Sequence, residues 1–287
     1  MPRHAPYPLP RRSGLSRRSG AKAAFTLIEL SIVLVIIGLI VGGILGGKDL
    51  IRSAKIRKAV TQLNEYALAI NTFDVKYNDL PGDIRASQAA QFGLATRAGT
   101  AGQGDGNGLI EGGAATGRGA CGETILLWND LTTAGFIPGK YSGPDGASLA
   151  HTCTATSNPS LWLPTFTLNN AAFVNAYSDD SALYFEVETG PTAIDSASQL
   201  SGVAATALSP LELNNIDNKI DDGMPLTGSV VATDANLGVT WNNNPNLATP
   251  AVPASGVCVS NATGNPYNLS TATGGNKAAC AFRYQVR

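Results

Sequence analysis

Residues 22–43 read KAAFTLIELSIVLVIIGLIVGG, and no charged residue occurs from Leu30 to Leu45. Apolar side chains fall on every face of a helix drawn through this run. As a helix, residues 25–47 reach roughly 34 Å, against a hydrocarbon core of about 30 Å, so the segment is long enough to cross a bilayer. Beyond it the period changes. Ile56, Val60, Leu63, Ala67 and Ile70 recur three and four apart, and Phe73 and Tyr77 carry the stripe onward. The pattern predicts one helix over 26–76, apolar all round at first and amphipathic after. It stops at Asp79-Leu80-Pro81-Gly82-Asp83, because Pro81 disfavours helix in the residue before it.

Shorter elements follow. Glu123–Gly139 reads as a brief helix with Leu127, Trp128 and Leu131 apolar, stopped by Gly135 and Pro138. Another helix opens on the capping box Ser209-Pro210-Leu211-Glu212, with Leu213, Ile216 and Ile220 as its buried face and Gly223 as its C-cap. Strands are expected over Leu161–Leu168, Leu183–Glu188, Gly228–Thr233, Val257–Ser260 and Ala279–Val286; the last sets Phe282, Tyr284 and Val286 on one face. The expected fold is α+β: a long N-terminal helix, its first half transmembrane, packed on an antiparallel β-sheet head with Gly/Asn-rich loops.

Charge is unevenly distributed. Residues 1–24 carry six Lys or Arg and no acid, while the rest of the chain holds fourteen basic against 21 acidic residues. An acidic body excludes binding by phosphate neutralisation, so no nucleic-acid partner is expected. A second basic group, Lys48, Arg52, Lys55, Arg57 and Lys58, follows the apolar run. The leader is therefore expected to stay cytoplasmic, with the second group at the far headgroups or on a solvated helical face.

Glu29 stands inside the apolar run, where a carboxylate costs a few kcal/mol and calls for a partner. The stretch Ala24-Phe25-Thr26-Leu27-Ile28-Glu29-Leu30 resembles the cleavage and methylation signature of type IV prepilins and type II secretion pseudopilins. The resemblance implies a cut between Ala24 and Phe25 by a prepilin peptidase/N-methyltransferase, and N-methylation of Phe25. That family usually has Gly before the cut, where this chain has Ala24. Glu29 would then register an incoming subunit through the Phe25 amine of its neighbour. Gly38, Gly42 and Gly46 lie four apart, as do Gly43 and Gly47. They suit either loosening of the helix on assembly or close approach of two spans. Asp79–Asp83, Trp128–Gly139 and Ile216–Pro225 resemble phrases of large pilin-like proteins more softly.

The implied organisation is a basic leader (1–24), a transmembrane and assembly half of the helix (25–47), its amphipathic half (48–78) and a periplasmic or extracellular head (79–287). The implied partners are other pilin or pseudopilin subunits, an inner-membrane assembly platform and membrane lipid. The implied localisation is the bacterial inner membrane, then a pilus or pseudopilus. A body this large favours a minor or tip component. The competing expectation is a membrane-anchored ligand-binding module that never polymerises.

Three further patterns bear on chemistry. In Gln103–Glu111, Asp105 and Asn107 could fill the third and fifth positions of a calcium loop, with Gly108 as the turn, Ile110 as the apolar anchor and Glu111 as a further carboxylate. Gln103 holds the first position and Ala114 the place of the usual bidentate Glu; Asx turns in a surface loop are the competing reading. Asp217, Asp221 and Asp222 pose the same choice between a cation and turn formation. The four cysteines, Cys121, Cys153, Cys258 and Cys280, contain no C-x-x-C pair. In an exported body they make two disulfides. Of the three pairings, Cys121–Cys153 and Cys258–Cys280 are favoured because each closes a Gly/Pro/Asn-rich stretch. A C-terminal disulfide also resembles that of type IV pilins. Disulfide bonding of Cys153 would remove His151 and Cys153 as a metal or nucleophile pair. With no G-x-S-x-G, H-E-x-x-H or Walker loop, no enzymatic activity is expected.

Overall fold

A computed structural model describes residues 26–112, 121–141, 159–179, 182–189, 208–234, 258–260, 266–270 and 280–286. The chain divides into two units, Met1–Leu50 and Ile51–Arg287. One helix, α1 (Leu27–Tyr77), contributes to both, within a residue of the expected span. In the first unit its apolar side chains are exposed, and none of its most apolar 18-residue window is buried. The helix is thus long and apolar enough to span a membrane.

The second unit is an α+β head. Its stretch of α1 buries Ile56, Ala59, Leu63, Tyr66, Ala69, Ile70 and Phe73, while Val60, Ala67 and Tyr77 lie only half-buried at the edge. The buried stripe keeps Ile56, Leu63, Ile70 and Phe73 of the expected one and turns slightly toward Ala59, Tyr66 and Ala69. Aromatic packing accounts for the turn: Tyr66 meets Trp128 edge-on at 4.9 Å and Phe185 at 6.3 Å, and small Ala59 and Ala69 admit the head closely. α1 ends as Asn78 takes the left-handed conformation (φ 55°), which Asn tolerates better than most residues.

Three more helices follow: α2 (Ala86–Gln91), α3 (Glu123–Thr133) and α4 (Pro210–Ile220). α2 was not expected; only its Ala89 is buried, so it leaves no apolar stripe to read. α3 is buried from Glu123 to Leu131, a core helix covered on all sides. α4 carries the expected capping box. Ser209 Oγ accepts from the Glu212 N–H, and the Glu212 carboxylate accepts from the Ser209 N–H at 3.0 Å. Leu213 and Ile216 are buried as expected, Ile220 only partly, and the C-cap is Asp221 rather than Gly223. Arg52 of α1 donates to Ser209 Oγ at 3.2 Å and lies 3.6 Å from Glu212, so the same cap anchors α4 to α1. Ser209→Ala is expected to cost about 1 kcal/mol, measured by urea unfolding in detergent followed by tryptophan fluorescence.

The sheet has five antiparallel strands: β1 (Thr165–Phe166), β2 (Asn169–Asp179), β3 (Ala182–Thr189), β4 (Val230–Asp234) and β5 (Cys280–Gln285), in the order β1-β2-β3-β5-β4. The strands expected near 183–188, 228–233 and 279–286 are present. The one expected over Leu161–Leu168 shrinks to β1 behind a short 3-10 turn, Pro159–Leu161. The longest strand, β2, was missed because it opens Asn-Asn-Ala-Ala, without the β-branched enrichment that marks a strand. Val257–Ser260 gives a single bridge, Val259 with Tyr267. A disulfide joins Cys258 to Cys280, the favoured C-terminal pairing. Cys121 is also disulfide-bonded; Cys153 and His151 lie outside the described residues.

Candidate functional site

Two places carry the residues singled out from sequence. The first is the start of α1. The Thr26 carbonyl accepts the Leu30 N–H, and Thr26 Oγ1 accepts the Glu29 N–H at 3.3 Å. In return Glu29 Oε2 accepts from Thr26 N at 2.8 Å and from Thr26 Oγ1 at 2.7 Å. Thr26-Leu27-Ile28-Glu29 is therefore a capping box, a signal carried by the Thr-x-x-Glu spacing itself. It supplies Glu29 with partners inside its own chain. Ala24 and Phe25, the expected cut, lie outside the described residues.

The second place is the loop before α3, held by the segment that ends α1. Gly82 must be glycine. Its φ is +90°, and a Cβ there would lie 2.5 Å from the Glu123 carbonyl oxygen. This close approach sets Asp83 beside Glu123, the first residue of α3. Both are buried, and the loop wraps its backbone around them. Asp83 accepts from the N–H groups of Gly106 (2.7 Å), Asn107 (3.2 Å) and Gly108 (2.7 Å). Glu123 accepts from those of Gly104 (2.7 Å) and Glu111 (2.9 Å). Ile110 is fully buried.

An ion pair locks the base of this arrangement. Arg97 reaches Asp130 at 2.6 and 2.9 Å and also donates to the carbonyls of Gly82 and Ile84, while Asp130 accepts the Gly82 N–H at 2.7 Å. Burial pushes the Glu123 carboxyl up to about 8 and Asp83 up to about 6. The N–H donors oppose that shift, while the neighbouring carboxylates, including Asp105, add to it.

The residues expected to bind calcium are neighbours, in a different arrangement. Asn107 turns its amide N–H groups to Asp105 (3.3 Å) and Glu111 (3.0 Å), and its carbonyl oxygen accepts the Leu109 N–H. Asp105 in turn accepts the Asn107 N–H, an Asx turn. The carboxylates that converge are Asp83, Asp105 and Glu123, with one oxygen of each within 4.8 Å of the others. These are hard oxygen donors of the kind calcium takes, but calcium takes six to eight of them. Asp83 and Glu123, forty residues apart, were not legible as partners of this loop. Asp217, Asp221 and Asp222 form a second such group. Asp217 accepts from Tyr267 Oη and the Gly223 N–H, Asp221 from the Ser229 and Val230 N–H groups, and Asp222 from Met224 N–H and Thr227 Oγ1. Each one shapes the turn after α4.

The head also carries an open groove of about 600 Å³ beside α1, lined by Lys58, Gln62, Tyr66, Phe136, Ile137 and Pro138 among others. Comparison gives no guide to any of these places. No protein-family model, curated protein or solved structure matches the chain.

Proposed function

We propose that the chain is a pilin-like structural subunit, cut between Ala24 and Phe25 by a prepilin peptidase and assembled through the apolar half of α1. The filament is a type IV pilus or a type II secretion pseudopilus, and the size of the head suits a minor or tip position. Before assembly the leader lies in the cytoplasm and the head in the periplasm. The observation that carries this reading is the combination at the N-terminus: an apolar helix with no buried residue in its most apolar window, opened by Glu29 within FTLIEL. Such a surface must be covered by lipid or by other helices, and a carboxylate at its edge needs a cation. The amine released at Phe25 by processing is that cation.

The capping box makes the test sharper. Glu29→Gln keeps a side-chain acceptor for the Thr26 N–H and removes the charge; Glu29→Ala removes both. Both variants are expected to lose filament incorporation at least tenfold, measured by immunoblot of sheared filaments against whole cells. Incorporation of Glu29→Gln at the wild-type level would sink the charge-pairing role. Mass spectrometry of the mature N-terminus is expected to find N-methyl-Phe25, and an intact Met1 in exported protein would overturn the reading. A non-polymerising membrane-anchored binding module remains the second reading, favoured by the groove beside α1.

A further inference from the structure

The basic residues that follow the apolar run are not explained by assembly. Lys55, Arg57 and Lys58 are exposed, and among the described residues no ion pair engages them. Arg52, by contrast, is held at Ser209 and Glu212. From Ile51 to Asn64 the helix contains no acidic residue. We propose that Lys55, Arg57 and Lys58 form a partial ring that binds the anionic headgroups of phospholipid in the leaflet on the head's side of the membrane. This rests on the reading of α1 as a membrane-anchored helix and adds a lipid class to it.

The geometry fits a lipid layer. At 3.6 residues per turn, Arg57 and Lys58 project roughly 130° to either side of the buried Ile56–Ala59–Leu63 face, and Lys55 projects roughly 75° from it. The three charges thus fan over roughly 160° of the side facing away from the buried face, within about 4.5 Å of helix axis. A plane of phosphates meets that exposed arc at one level, just past the apolar run. Ile51 strengthens the assignment: it is 60% exposed and sits one helical turn before Lys55, on the side that Lys55 and Lys58 share. An exposed apolar residue beneath two long ammonium side chains matches the boundary between acyl chains and headgroups, where the stems lie along the tails and the charges reach the phosphates.

The test uses the full chain reconstituted into vesicles, carrying trace spin-labelled phosphatidylglycerol or phosphatidylcholine. Flotation is scored first. The fraction of each label that is motionally restricted by the protein is then read by electron paramagnetic resonance. Phosphatidylglycerol is expected to be enriched over phosphatidylcholine, and K55Q/R57Q/K58Q to lower that enrichment at least fivefold, since each basic residue near such a surface contributes about a fivefold preference. K55R/R57K/K58R is expected to keep it, and 0.5 M salt to weaken it. The six basic residues of the leader are common to all three chains, so the difference reads the ring alone. Equal enrichment in wild type and K55Q/R57Q/K58Q, with flotation intact, overturns the ring and leaves the membrane reading standing. Loss of self-association in K55Q/R57Q/K58Q with enrichment unchanged overturns it in favour of a second copy. Failure of the wild type to float overturns both the anchor and the ring.

Discussion

Arg97→Ala is expected to destabilise the head by about 3–5 kcal/mol, the range for breaking a buried ion pair by removing one partner. Both side chains of the Arg97–Asp130 pair are completely buried, and their bonds at 2.6 and 2.9 Å make a two-pronged contact. Deleting the guanidinium leaves Asp130 buried with the Gly82 N–H as its remaining donor, and strips the carbonyls of Gly82 and Ile84 of theirs. Burial already pushes the Asp130 carboxyl up against the pull of Arg97. Without Arg97 that group will take up a proton, so the deficit should be smaller at pH 5 than at pH 8. Urea midpoints at the two values check this. Arg97→Met with Asp130→Leu should cost less than Arg97→Ala alone, because it removes the uncompensated charge as well. A loss below about 1 kcal/mol for Arg97→Ala would mean that the pair is not what holds the 80–85 turn.

The second large effect concerns pH. Glu123 stays protonated in the folded chain up to about 8 and Asp83 up to about 6, while both ionise in the ordinary carboxylate range when unfolded. A raised folded-state pKa gives stability that is fully present below the unfolded value and is lost as pH rises through the folded one. The window therefore runs from about 4 to 6 for Asp83 and from about 4.5 to 8 for Glu123. Asp217, pushed up to about 6, adds to the lower part with the same sign. Stability should fall by a few kcal/mol, in order of magnitude, between pH 5 and pH 9. Glu123→Gln should cost about 1 kcal/mol at pH 5, since the amide cannot accept both the Gly104 and Glu111 N–H bonds. Above pH 7 it should be more stable than the wild type. A profile that is flat or rises across this range would show that Glu123 is ionised in the fold.

The long helix was legible in the sequence because its two periodicities, apolar all round and then amphipathic, have no β-strand counterpart. The capping box before α4 was legible for a similar reason: one local motif decides it. The stripe on α1 was legible at Ile56, Leu63, Ile70 and Phe73 but not at Tyr66, because periodicity cannot say that Tyr66 packs inward on Trp128. β2 could not be read, since its burial on both sides is conferred by the elements that cover it: Val174, Asn175, Ala176 and Tyr177 are all buried in succession. The loop site was half legible. Asp105, Asn107 and Glu111 lie close in sequence and close in space, but the buried acids that organise them come from the turn after α1 and the start of α3. Thr26-x-x-Glu29 has the spacing of a capping box, so the local bonds of Glu29 are legible from four residues alone.

The order of the strands has a consequence for how the head comes to exist at all. β5, the last of the five along the chain, sits between β3 and β4, pairing Phe282 with Val187 on one side and Ala232 on the other. Until it arrives, the two strands that will flank it each present an open edge, with Phe185 and Val187 unprotected. Closing the sheet is therefore a late, long-range event of the slow kind that high contact order brings. A chain made N-terminus first must wait for β5 before this sheet is closed, and during that wait it is open to pairing with the β5 of another copy.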